Sequence, residues 1–255
     1  MILSKSKNFV FIHLEKTGGT SIEEFLTPFL PWDDIVLGGT TYGQDIINVY
    51  RKYFGDKYMI ENGLWKHSTA HNIKKYLGHE KWNEYYKFAT VRNPEKLVKS
   101  LYFFTERNIS TYLKFIDKNI SYNVQYIDSY KTDFEIIRNT IFTDDMTYKN
   151  YFDSMFDNTG IDGFIQKCII QNNPIVLPQI SRLDKTVEIF DIENINIHWK
   201  YILNRINIES NNFPEILNKS KDHNNIILQN KTIDLIKDHF KDDYKNIPEL
   251  TKTSW

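Results

Sequence analysis

With 255 residues, 41% of them hydrophobic, the chain is long enough to bury a substantial core, and α/β domains of this size are common, so it reads as a single domain spanning 1–255. Lys and Arg number 32 against 33 Asp and Glu, a formal net charge of −1, which excludes nucleic-acid binding by bulk electrostatics and makes any anion site local. The lone cysteine, Cys168, excludes an intramolecular disulfide and fits a reducing, cytoplasmic setting, while the apolar run Phe9 to Leu14 is too short for a signal sequence or a membrane anchor.

Asn8 to Leu14 (NFVFIHL) is a β-favouring run that stops at a glycine-containing turn, and Thr20 to Leu30 then carries helical apolar spacing at Ile22, Phe25, Leu26 and Phe29. A short strand is expected at Asp34 to Leu37, ended by Gly38-Gly39, and helical spacing resumes at Ile46, Ile47, Val49 and Tyr50. Ser68 is the expected cap of a helix over Thr69 to Leu77, closed by Gly78.

Lys87 to Val91 (KFATV) reads as a buried strand, and Asn93-Pro94 start a helix through about Glu106, with proline in its first turn as sterics prefer. From about 108 to 165 the chain is polar and aromatic without β alternation, and is read as a helical insertion. Val187 to Asp191 is a further strand, followed by helices near Ile195 to Ile206 and Lys231 to Phe240, with the polar loop Asn218 to Asn225 between them. Strands alternating with helices imply an α/β fold: a mostly parallel central sheet flanked by helices in three layers.

Between the first strand and its helix lies Glu15-Lys16-Thr17-Gly18-Gly19-Thr20-Ser21. Two glycines let backbone N–H groups approach an anion, the helix N-terminus adds partial positive charge, Lys16 adds a full one, and Thr17, Thr20 and Ser21 offer hydroxyls. The lysine precedes the glycines, so this is not a Walker A loop, whose order is Gly-x4-Gly-Lys-Ser/Thr.

The stretch Phe11 to Ser21, FIHLEKTGGTS, resembles the phosphosulfate loop of the sulfotransferase superfamily, which commonly reads FIHIPKTGGTS. Val91-Arg92-Asn93-Pro94 is similar to that family's VRNP or VRDP signature, and Ser100 follows Arg92 at the family's eight-residue interval. The resemblance implies a P-loop-like enzyme that uses 3'-phosphoadenosine 5'-phosphosulfate (PAPS) as sulfuryl donor, releases 3'-phosphoadenosine 5'-phosphate (PAP) and needs no metal. Lys16 to Ser21 would hold the phosphosulfate, and Arg92 and Ser100 the 3'-phosphate. Leu217-Asn218-Lys219-Ser220-Lys221 is similar to the family's NKSK-like loop, implying nucleotide contacts from Asn218, Lys219, Ser220 and Lys221; a solvated basic turn is the other reading.

Lys66-His67-Ser68-Thr69-Ala70 resembles the KHSTA segment of bacterial members, which implies His67 as general base, with His71 as the alternative. A zinc reading of the two histidines lacks a third ligand. Val36 to Thr40, Pro178-Gln179 and Asp242 to Tyr244 extend the similarity over nearly the whole chain. Glu15 replaces the family's proline, so a carboxylate stands beside an anion site and should point away from it.

The implied acceptor is a hydroxyl of a carbohydrate or other small metabolite, for which Trp32, Tyr42, Tyr50 and Trp65 offer stacking faces; the same aromatics are equally at home in a core. The alternatives are a P-loop kinase or NTPase, for which neither a Walker A lysine nor a Walker B carboxylate is found, and a catalytically silent nucleotide-binding module.

Overall fold

The first strand, β1 (Ile2–Ser4), turns directly into β2 (Phe9–Ile12), and one carboxylate gathers the turn: Asp34 accepts from Ser4 Oγ at 2.5 Å, Lys5 N at 2.7 Å, Ser6 N at 3.1 Å and Ser6 Oγ at 2.7 Å. Asn8 takes the left-handed backbone (φ 53°) that its short polar side chain tolerates. This is a computed structural model. It describes residues 1–31, 33–38, 64–117, 159–171, 173, 176–215 and 226–247, without the side chains of 108–117.

The described chain divides into two compact units interleaved in sequence: Met1–Asn93, Pro178–Lys219 and Asp242–Trp255 form the first, Pro94–Leu177 and Ser220–Lys241 the second. The first holds a five-stranded sheet in the order β3-β1-β2-β4-β5, with β3 at Ile35–Val36, β4 at Tyr86–Val91 and β5 at Glu188–Asp191. The sheet is mixed. β2 pairs parallel with β4 and β4 parallel with β5, but β1 is antiparallel to both its neighbours, β2 and β3.

Period-two alternation sends successive side chains to opposite faces, and both faces are covered. Phe9, Phe11 and Phe88 pack with Ile22 and Leu26 of α1 (Gly19–Leu26) and with Trp199, Ile202 and Leu203 of α6 (Ile195–Arg205). Val10, Ile12, Ala89 and Val91 pack on the other side with Ala70 and Ile73 of α2 (Ala70–Leu77), Trp82 of α3 (His79–Glu84), and Ile247.

The second unit is helical. It is built from α4 (Pro94–Asp117), α5 (Gly160–Ile170) and α7 (Asn230–His239), with α8 (Lys241–Asn246) beginning at its boundary. Tyr102 meets Phe164 edge-on at 5.3 Å, and Gln166 donates to Thr232 Oγ1 at 2.8 Å. Most of the expected insertion, 118–158, lies outside the described residues, as does the helix expected around Ile46 to Tyr50.

Three local readings need correction. Thr69, not Ser68, caps α2, accepting from Asn72 N at 3.2 Å; Ser68 is buried and its hydroxyl accepts from Trp65 N at 2.6 Å. The helix from Pro94 runs to Asp117 instead of Glu106, and β1 and α3 were not expected.

Phe88 is fully buried, with ring centroids 5.0 Å from Phe11 and 6.2 Å from Phe9. Phe88→Ala is expected to remove about 3–5 kcal/mol of unfolding free energy by leaving a cavity at the sheet centre. Urea titration should show a lower midpoint at unchanged slope.

Candidate functional site

β2, β4 and β5 are parallel neighbours, so the segments leaving their carboxyl ends share one edge of the sheet, where open α/β sheets place ligands. The segments are the loop 13–18, the Arg92-Asn93 step and the 3-10 turn Ile192–Asn194. Each carries a charged or hydrogen-bonding group.

In the loop, Lys16 (φ 62°) and Gly18 (φ 76°) are both left-handed. For Lys16 this costs about 1–2 kcal/mol that the surroundings must offset. A β-carbon on Gly18 would lie 2.8 Å from Ile192 Cδ1, and one on Gly19 would lie 2.1 Å from His13 Cδ2. Glycine is therefore required twice, first by the backbone angle together with a side chain crossing close by, then by the imidazole alone.

Gly19 opens α1 and Ser21 N donates to Gly18 O at 3.1 Å, leaving Thr20 and Ser21 half-buried on the first turn. Thr17 differs from the expectation. It is fully buried, its hydroxyl donates to Leu14 O at 2.9 Å, and Thr90 Oγ1 donates to its carbonyl at 3.0 Å, so the hydroxyl is spent inside the fold and is not offered to an anion. The Glu15 carboxylate is paired with the Arg182 guanidinium, which lessens its field beside the loop.

His67 Nδ1 lies 2.8 Å from the carbonyl oxygen of His13. A carbonyl only accepts, so Nδ1 carries the proton and Nε2 keeps its lone pair. Burial, reinforced by the neighbouring His13 and Lys66, holds its pKa well below 6.5, outweighing the bond to His13. The ring stands edge-on to His13 at 4.6 Å and to Trp65 at 5.4 Å. His71, the alternative base, is exposed on α2.

Behind His67, His13 Nδ1 is 2.7 Å from Glu23 Oε1, and both residues are buried. Burial lowers the His13 pKa to about 4 against the pull of Glu23. For Glu23, burial acts upward, but His13 and the Met1 amino group outweigh it and bring the carboxyl to about 2. His13 is thus neutral and donates to an ionised carboxylate, which also receives the Met1 amino group at 2.5 Å. Gly38 makes the space: a β-carbon there would lie 2.1 Å from Glu23 Oε2.

Arg92 leaves β4 with its backbone clamped by one carboxamide: its N–H donates to Gln179 Oε1 at 2.8 Å and its carbonyl accepts from Gln179 Nε2 at 2.9 Å. Gln179 is held in turn by Asp243, which accepts from Gln179 N at 2.9 Å, Gln179 Nε2 at 3.1 Å and Ile180 N at 2.9 Å. The guanidinium donates from Nε to Glu193 Oε1 at 3.0 Å and from Nη1 to Lys16 O at 3.4 Å.

Ser100 is buried on α4 in the second unit. Asn218, Lys219, Ser220 and Lys221 lie outside the described residues. Among the described residues no group of three or more His, Cys, Asp or Glu is placed to hold a metal ion, and no helix is long and apolar enough to cross a membrane.

Sequence reasoning missed Glu23, Arg182 and Glu193. Only Glu23 left a signal, a carboxylate beside Ile22 on the helix stripe that also carries Leu26. No family model, curated protein or solved structure matches the chain.

The pKa directions give a sign. His13 and His67 are held neutral in the fold, so below pH 6.5 the unfolded chain binds protons that the folded chain refuses. Stability should be complete above about pH 6.5 and fall toward pH 4, by about 1.4 kcal/mol per pH unit for each proton. Denaturant titration from pH 7.5 to 4.5 should show a steeper loss for the native sequence than for His13→Gln.

Proposed function

We propose that the chain is a PAPS-dependent sulfotransferase that transfers a sulfuryl group to a hydroxyl of a carbohydrate or other small metabolite. The observation that carries the reading is the contact of Arg92 Nη1 with Lys16 O at 3.4 Å. It joins the two segments, 76 residues apart, whose sequences resemble the family's phosphosulfate loop and 3'-phosphate motif. Gln179 and Asp243, from two further segments of the resemblance, meet behind Arg92.

In this reading the layout is P-loop-like, with the parallel strands β2, β4 and β5 as its centre and β1 as an antiparallel extension. The setting is cytoplasmic. PAPS would supply the activated sulfuryl group, held by the backbone of Lys16 to Ser21 and by Arg92. The Lys16 ammonium stabilises charge developing on the oxygen that leaves with the 5'-phosphate. His67 Nε2 takes the proton of the acceptor hydroxyl as its oxygen bonds to sulfur and the sulfur–oxygen bond to the leaving phosphate breaks, giving a sulfate ester and PAP.

A base whose pKa lies below 6.5 is ready at neutral pH. The acid limb of kcat/KM is expected below that value, and His67→Ala should lower kcat by about 10² to 10⁴ while PAP affinity stays nearly intact. Lys16→Ala should raise the barrier by about 3 kcal/mol. Steady-state rates with PAPS and the best acceptor from a screen of glycans, lipids and phenols measure both, and near-native turnover in Lys16→Ala would remove the loop from the mechanism.

Calorimetric titration tests the donor without knowing the acceptor. PAP should bind far more tightly than 5'-AMP, because charge-assisted bonds are worth about 1.5 to 3 kcal/mol each and Arg can make two. Arg92→Ala should erase most of the difference. Equal affinity for the two nucleotides would refute the assignment and favour a kinase.

A further inference from the structure

Arg92 already has an anion. Its backbone is fixed on both sides by Gln179, so only the side chain is available to move. Along the guanidinium, Nε is taken by Glu193 at 3.0 Å and Nη1 by the Lys16 carbonyl at 3.4 Å. A phosphate bound side-on, through Nε and Nη2, needs the Glu193 contact to give way.

Glu193 is not a loose surface carboxylate. It sits in the turn after β5, where Asp191 Oδ1 accepts from Glu193 N at 3.1 Å and Asp191 Oδ2 accepts from Asn194 Nδ2 at 2.8 Å. The preceding residue, Ile192, packs so closely over Gly18 that a β-carbon there would come within 2.8 Å of it. The turn is thereby anchored to the phosphosulfate-like loop, and its carboxylate is presented to Arg92 by the fold. Yet the pair remains about a quarter exposed, at 26% and 27%, so exchanging the carboxylate for another anion strands no buried charge.

We infer that Glu193 is a specificity-determining residue: a built-in counter-anion that holds Arg92 in place in the free protein and that the 3'-phosphate of the nucleotide displaces. The inference rests on the reading of Arg92 as the 3'-phosphate site. It assigns Glu193 a defined effect, weakening every ligand that brings a phosphate to Arg92 and leaving alone those that do not. The same competition speeds the departure of PAP after transfer. It also links the two ends of the nucleotide, because the guanidinium that exchanges partners is the one resting on the Lys16 carbonyl.

The test is calorimetric titration of PAP and 5'-AMP into the native chain, Glu193→Gln and Glu193→Ala, with thermal melting of each to check folding. Glu193→Gln keeps an oxygen acceptor for Arg92 Nε and removes only the charge. PAP is expected to bind about three- to tenfold more tightly to both variants, with 5'-AMP changed less than twofold. Unchanged or weaker PAP binding to Glu193→Gln overturns the inference, and so does equal tightening of both nucleotides, which would mark a general field effect. Those outcomes differ from failure of the underlying reading, in which the native chain already fails to prefer PAP over 5'-AMP and both proposals fall together.

Discussion

The parallel pairing of β2 with β4 is the constraint on which the site depends. Its register sets Phe11 beside Phe88 and Ile12 beside Ala89, with β4 running two residues, Thr90 and Val91, past the end of β2. The chain must then leave each strand at one edge, and the groups just beyond, the 13–18 loop and Arg92, meet without any long-range folding of loops. β5 continues the parallel run on the far side of β4 and brings Glu193 to the same edge. A slip of one residue in either pairing would send every side chain of the strand to the opposite face.

Behind that edge lies an unusual density of buried polar groups for so small a region. His13, Thr17, Glu23, Ser68, Thr90, Gln179 and Asp243 are all buried. Each hydrogen bond among them contributes little net stability, while a buried partner left unmatched costs about 1–3 kcal/mol, so the network specifies one arrangement more than it adds stability; among the described residues Glu23 Oε2 has no partner. Glycines 19 and 38 are part of that specification, since the His13 ring and the Glu23 carboxylate occupy the space their β-carbons would need. The left-handed Lys16 backbone, unfavourable by itself, is held where Arg92 donates to its carbonyl.

Glu15 shows how a carboxylate beside the glycine loop is accommodated. A carboxylate there raises the local negative field, but Arg182 from the turn after Pro178 pairs with it. Burial makes the charged form of Arg182 harder to hold, and nearby Asp243 acts the other way. The charge of Glu15 is thus offset from a distant part of the chain.

What the sequence by itself determined was local. The apolar run ending in a two-glycine turn marked β2 and α1, KFATV followed by Asn-Pro marked β4 and the start of α4, and VEIFD marked β5, because periodicity and backbone restriction act over a few residues. The loop lysine, His67 and Arg92 were singled out by what the short segments around them resemble, each only a few residues long. The tertiary structure decided the rest. β1 exists only because β2 and β3 pair with it on either side, and a three-residue strand carries no period of its own. The Thr17 hydroxyl turned inward because Leu14 O lay within its reach. His67 acquired its tautomer from a carbonyl 54 residues away, and Arg92 its counter-charge from a residue 101 positions further on. Such partnerships leave no trace in local spacing, because they are set by which strands lie side by side.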